Sequence, residues 1–220
     1  AQMDNGEIVM LGMCDVKKSI WYGAGTGEQT YISFSKDGGN TWTELERIAR
    51  KDGHQTGRPM MLAYLGGGNL TYMGGNDERI FSSDYGRNWS SAPRQPCERG
   101  GPIYAEGNPL VDRDEQGKAT RIAEIGWNRV GKKPGSPDFI PQMNFIHWSD
   151  DGGRTWTDEV RPANWASSEG SLVRAKNGWV AAALRCATPA PYPGAYGDEY
   201  RSTRVSISKD DGRTWSQPKW

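Results

Sequence analysis

Ser-Lys-Asp-Gly-Gly-Asn-Thr-Trp at residues 35–42 decides the fold, because its pattern returns three times further along the chain. The shared form is Ser-x-Asp-x-Gly-x-Thr/Asn-Trp. It recurs as Ser82, Asp84, Gly86, Asn88, Trp89; as Ser149, Asp151, Gly153, Thr155, Trp156; and as Ser208, Asp210, Gly212, Thr214, Trp215. The tryptophans stand 47, 67 and 59 residues apart. A second turn signal precedes each copy: Asp4-Asn5-Gly6, Gly66-Gly67-Gly68, Glu115-Gln116-Gly117 and Lys176-Asn177-Gly178. Short apolar runs flank each of these turns, as hairpin strands require. Every repeat therefore reads as two hairpins in series, four strands a, b, c and d. Four-stranded units repeated at this spacing are the mark of β-propeller blades, whose sheets bury their faces on one another. In such a unit the motif is the c–d turn: the aspartate accepts backbone N–H bonds, the glycine supplies a positive φ, and the tryptophan wedges into the blade core. These aspartates are read as turn-formers, not catalysts.

Composition agrees with an all-β, turn-rich chain. The 220 residues carry 29 glycines and 13 prolines without a three-residue period, which excludes collagen. Ten tryptophans and nine tyrosines argue against disorder. Lysine plus arginine equals aspartate plus glutamate at 27 each, so no net field recruits nucleic acid, and any hold on an anion must be local. No apolar run approaches the ~20 residues of a membrane span, and no charged-then-apolar signal segment opens the sequence. Cys14, Cys97 and Cys186 are too sparse for a disulfide scaffold or zinc site; buried free thiols are expected at Cys14 and Cys186. No metal or other cofactor is expected.

The expected blades cover about 1–45, 58–92, 106–159 and 169–218 of one propeller domain spanning 1–220. Only three residues precede the first a–b turn, and Trp220 follows closely on a strand d. The expectation is a fragment incomplete at both ends, four blades of a six-bladed propeller; a closed four-bladed propeller is the alternative.

With the a–b and c–d turns on one rim, the b–c and d–a loops share the other, where propeller function is expected. Those loops hold aromatic residues, among them Trp127 and Tyr196, that suit stacking on sugar rings or equally blade packing. Charges cluster where strand a leaves this rim or strand b returns to it: Arg58, Glu106 and Glu169, then Asp15, Glu124 and Arg185. Such inward charges are costly unless paired or used. Each is open to two readings, an inter-blade salt bridge or a working group.

The eight-residue motif is similar to the Asp-box, or bacterial neuraminidase repeat. The run from Ser168 through Glu169 to Arg185 resembles the sialidase pattern in which a glutamate opens strand a, an Asn-Gly turn follows, and an arginine closes strand b. That resemblance implies a six-bladed exo-glycosidase gripping a sugar carboxylate with three arginines. Arg185 then corresponds to the second of them, binding through its planar fork. Glu169 corresponds to the base that activates a tyrosine nucleophile in a retaining mechanism. Arg58-Pro59 imitates the segment of the first arginine but lies in the second repeat. The acid/base aspartate belongs in the first b–c loop, where Asp15 and Glu28 stand, and Asp52 is a further candidate by proximity to Arg58. Glu106, Asp52, Trp127 and Tyr196 are the expected substrate-binding residues, and Glu169, Arg185, Asp15 and Arg58 the catalytic ones. The third arginine and the tyrosine are expected beyond Trp220, which leaves this polypeptide alone catalytically incomplete.

The expected partner is a glycan or glycoconjugate, and secretion or a periplasmic location follows from the resemblance alone. Two other classes fit the same scaffold: a non-catalytic propeller that binds glycans or proteins, and another carbohydrate-active enzyme, a lyase or neutral-sugar hydrolase.

Overall fold

The computed structural model describes residues 1–15, 28–48, 58–74, 78–93, 107–130, 140–157, 160–163, 167–187, 201–217 and 219. Among them the regular structure is entirely β, gathered into four sheets. The first has the order β1 (Ile8–Asp15), β2 (Glu28–Ser35), β3 (Glu46–Arg47). The second runs β4 (Met60–Gly66), β5 (Asn69–Met73), β6 (Glu78–Ser82), β7 (Ser90–Pro93). The third is β8 (Leu110–Arg113), β9 (Ala119–Val130), β10 (Ile140–Ser149), and the fourth β11 (Ser167–Arg174), β12 (Val180–Ala187), β13 (Arg201–Ser208). Neighbours in sequence are neighbours in every sheet, the up-and-down order of hairpins in series.

Among the described residues only the second sheet has four strands. The others carry isolated bridges: Gln2 to Ile8, Val160 to Ile146, and Lys219 to Val205.

The repeated motif closes each c–d turn with one hydrogen-bond scheme. In the first copy the Ser35 hydroxyl donates to Asp37 Oδ1 at 2.8 Å and accepts from the Gly39 N–H at 2.8 Å. Asp37 then accepts the Thr41 N–H at 2.8 Å and its hydroxyl at 2.6 Å. The second copy substitutes the Asn88 amide for the threonine hydroxyl, 2.6 Å from Asp84 Oδ2. This explains why position seven alternates between Thr and Asn: either offers a side-chain donor to the second carboxylate oxygen. The motif glycines take φ of 94, 81, 91 and 85°, the left-handed region that side chains avoid.

The tryptophans depart from expectation. Trp89 is 3% exposed and packs edge-on against Tyr72, ring centroids 5.2 Å apart, in a core with Ile32, Leu70 and Ile80. Trp42 is 39% exposed, lying over Gly39 beside Ile8, and Trp156 and Trp215 are half-buried. Trp42, Trp89 and Trp215 share a bond to their own turn. The indole N–H donates to the motif glycine carbonyl at 3.1 Å in Trp42, 2.9 Å in Trp89 and 3.0 Å in Trp215. A Gly-x-x-Trp spacing thus clips the ring onto the turn whether or not a core covers it.

The residues fall into two compact units, one of 1–96, 111–122 and 149–155, the other of 97–110, 123–148 and 156–220. In the first, Arg87 donates to both oxygens of buried Glu7 at 2.8 and 2.9 Å and lies 3.6 Å above the Phe34 ring. In the second, the inward row of β12 is apolar, with Val180, Ala182, Leu184 and Cys186 all buried. Cys186 is a free thiol, its pKa pushed up by burial against the opposing pull of Arg204.

Candidate functional site

The second unit brings Glu169 and Arg185 into direct contact. β11 and β12 pair regularly from Arg174 opposite Val180 up to Gly170 opposite Leu184; the next pair is Ser167 with Cys186. Three steps along β11 therefore match two along β12. The extra residue is a β-bulge at Ser168 and Glu169, opposite Arg185. A bulge bends its strand and re-aims a side chain. Here an Arg185 N–H2 group donates to Glu169 Oε1, and the Ser168 hydroxyl donates to Oε2.

Two close approaches hold this bulge. A Cβ built on Gly170 would stand 2.8 Å from Ile125 Cδ1, and one on Gly107 would stand 1.9 Å from the Gly170 carbonyl oxygen. Glycine is required at both places because backbone or packed core occupies the space. Both follow a glutamate, in Glu106-Gly107 and Glu169-Gly170.

The pair is partly wet, the side chains of Arg185 and Glu169 being 34% and 31% exposed. They line a cleft of about 470 Å³ together with Gly107, Asn108, Ser171 and Thr203. Burial pulls the Glu169 carboxyl upward, but the Ser168 hydroxyl, the backbone N–H and the Arg185 charge outweigh it, and the net shift is down. Glu169 is thus held as a carboxylate: it suits a base or an orienting acceptor and not a proton donor. The Arg185 guanidinium is a planar fork of five N–H donors, the geometry through which arginine binds a carboxylate.

The other expected residues fall in one or the other unit or outside the described residues. Arg58 precedes β4, is half-buried, and belongs to the first unit. Asp15 is the last residue of β1, also in the first unit. Trp127 lies on β9 in the second unit and is half-buried. Glu106, Asp52 and Tyr196 lie outside the described residues. Glu124, expected at the end of its strand, sits mid-strand in the twelve-residue β9 and is buried. Among the described residues no three His, Cys, Asp or Glu side chains gather to hold a metal ion, and no helix is long and apolar enough to cross a membrane.

Sequence reasoning missed Ser168 and Asn144. Asn144 on β10 is 1% exposed; its amide donates to the Gly126 carbonyl at 3.3 Å and to the Ser168 carbonyl. A lone amide in the apolar run Met143-Asn144-Phe145-Ile146 was the available signal.

Solved structures resemble this architecture. A protein of unknown function from Dyadobacter fermentans is 22% identical over 99% of this chain and 66% of its own, with a TM-score of 0.69. The NanB sialidase of Streptococcus pneumoniae is 15% identical over 86% of this chain and 28% of its own, TM-score 0.55. An α-L-arabinanase of Penicillium chrysogenum is 14% identical over 98% and 64%, TM-score 0.60. The fold is a sialidase-like β-propeller. No protein-family model and no curated protein matches the chain. The likenesses include sialidases and another propeller glycosidase, and at these identities they extend to the fold alone.

Proposed function

We propose that this chain forms part of an exo-glycosidase of the sialidase type, hydrolysing terminal sialic acid or a related acidic sugar from glycans with retention of configuration. The observation that carries the reading is the Glu169–Arg185 contact across the β11 bulge, at the edge of a cleft. Arg185 supplies a planar cation for the sugar carboxylate, a local attraction that a chain of zero net charge must provide by placement. Glu169, held ionised, accepts the proton of a neutral phenol nucleophile. A phenol suits the task because a carboxylate nucleophile would be repelled by the substrate's own charge. Four Asp-box turns support the assignment to this class, and secretion is part of the same proposal.

The test is hydrolysis of a fluorogenic sialoside by the whole enzyme of which this chain is proposed to form part, wild type against Glu169→Ala and Arg185→Ala. Each variant is expected to lose about ten- to a hundredfold in kcat/KM, the worth of a hydrogen bond to a charged group. Turnover undiminished in both variants would sink the site assignment. Turnover of an arabinoside and not of the sialoside would replace the acidic sugar with a neutral one.

A further inference from the structure

We propose that Asn144 is a positioning residue for Glu169: its side-chain amide holds the Ser168 carbonyl, and with it the β-bulge that turns Glu169 toward Arg185. The inference rests on the reading of Glu169 and Arg185 as the working pair.

Three contacts tie Asn144 to this place. One amide N–H donates to the Ser168 carbonyl on β11 and the other reaches the Gly126 carbonyl on β9 at 3.3 Å. The backbone N–H of Asn144 donates to the Ser167 hydroxyl at 3.3 Å. A bulge leaves ladder groups without their usual cross-strand partners. In a buried strand such groups must be satisfied by something else. The Ser168 carbonyl lies within the bulge, and Asn144 supplies it a donor. The peptide that begins with this carbonyl carries the Glu169 N–H, so fixing the carbonyl fixes the plane from which Glu169 departs. The Asn144 amide also stands 3.4 Å from where a Cβ at Gly170 would be, which closes the bulge on its far side. Asparagine is suited to this: it has two donors on one planar group and adds no charge to a buried site. Its Oδ1 is buried and without a hydrogen-bond partner, a cost tolerated at a position whose donors are both used.

A merely structural asparagine would stabilise the sheet and leave the state of Glu169 alone. The two roles are separated by following the Glu169 carboxyl in the full chain by 13C NMR, with glutamate labelled at Cδ and the signal assigned through Glu169→Gln. Arg185 on β12 is the charge paired with Glu169; buried Arg204 on β13 and Glu124 on β9 share its unit and stay unchanged throughout. Asn144→Leu keeps the volume and removes both donors. Val180→Ala, a buried truncation in β12 away from the bulge, is the control for general loosening. The expected result is a rise of the Glu169 midpoint toward the ordinary glutamate value in Asn144→Leu and none in Val180→Ala. A wild-type midpoint in Asn144→Leu, or an equal rise in both variants, overturns the proposal. Should Asn144→Leu fail to fold, exchange of the Asn144 side-chain amide protons in the wild-type chain decides. Slow exchange supports the role, and exchange at the rate of a free amide overturns it. Sialic acid binding by the wild type is measured in the same samples. Its absence overturns the functional reading, while the positioning role stands or falls on the titration.

Discussion

Glu169 is where residue identity, backbone geometry and charge meet. Its carboxyl sits below the usual range because Ser168 and Arg185 offset the penalty of burial. The sign follows from that: a depressed folded pKa adds stability above the unfolded pKa, and the gain is lost as pH falls through the folded value. Arg185→Leu removes the charge and leaves burial and the Ser168 bond, so the Glu169 midpoint should rise, which the same 13C titration reads. A second residue-scale prediction concerns Gly107. A methyl group 1.9 Å from the Gly170 carbonyl oxygen cannot be housed without moving backbone. Gly107→Ala should cost about 1–3 kcal/mol, seen as a lower urea midpoint with unchanged m-value, and an unshifted midpoint would show that the Gly107 segment and β11 are free to part. The resemblance singled out Glu169 and Arg185 in the sequence as the two ends of one hairpin, but their contact with each other was not read there. Nor was the bulge, because one extra residue in a strand leaves no trace in the alternation of Ser168, Glu169 and Gly170. Asn144 left a signal as a lone amide in an apolar run, but not its place: its side-chain partners are carbonyls, which every residue has.

The element that repeats is the c–d turn, and its chemistry explains its spelling. Asp37, Asp151 and Asp210 are each held down to about 2. For Asp37 and Asp210 the hydroxyl and then the N–H of the following threonine lead the causes; for Asp151 the same bonds overcome an opposing burial. All three carboxyls are depressed, so their contribution is complete above about pH 4 and is lost toward pH 2. Urea midpoints followed by tryptophan fluorescence should therefore fall between pH 4 and pH 2. An Asp→Asn change at one turn should flatten that fall, since an amide has no charge to lose; an unchanged slope would contradict the turn role. The tryptophans separate by context. Trp89→Ala should cost about 3–5 kcal/mol as a buried aromatic truncation, whereas Trp42→Ala, exposed at the first turn, should cost far less. Comparable urea midpoints for the two variants would contradict the difference in burial. Sequence showed that each motif ends in tryptophan but not which copy is covered, because coverage depends on side chains far away in sequence, such as Ile32 and Tyr72 around Trp89.

At the scale of the molecule, hairpins in series give sheets whose strands are neighbours in order, and that topology was readable from turn spacing alone. The division into two units was not, since it runs through β9 and follows packing instead of the repeat. The chain spans 66% of the Dyadobacter fermentans protein and 28% of the pneumococcal sialidase that it resembles. Fold likeness at this identity extends to architecture and no further, and the account of function therefore stands on Arg185 as a carboxylate ligand beside an ionised Glu169. The most direct measurement compares N-acetylneuraminic acid with its neutral methyl ester as ligands of the wild-type chain and of Arg185→Ala, by saturation-transfer NMR or calorimetry. The expected result is binding of the acid at least tenfold tighter than the ester in the wild type, a preference abolished in Arg185→Ala. Equal binding of acid and ester, or a preference that survives without Arg185, would contradict the assignment of this cleft to an acidic sugar.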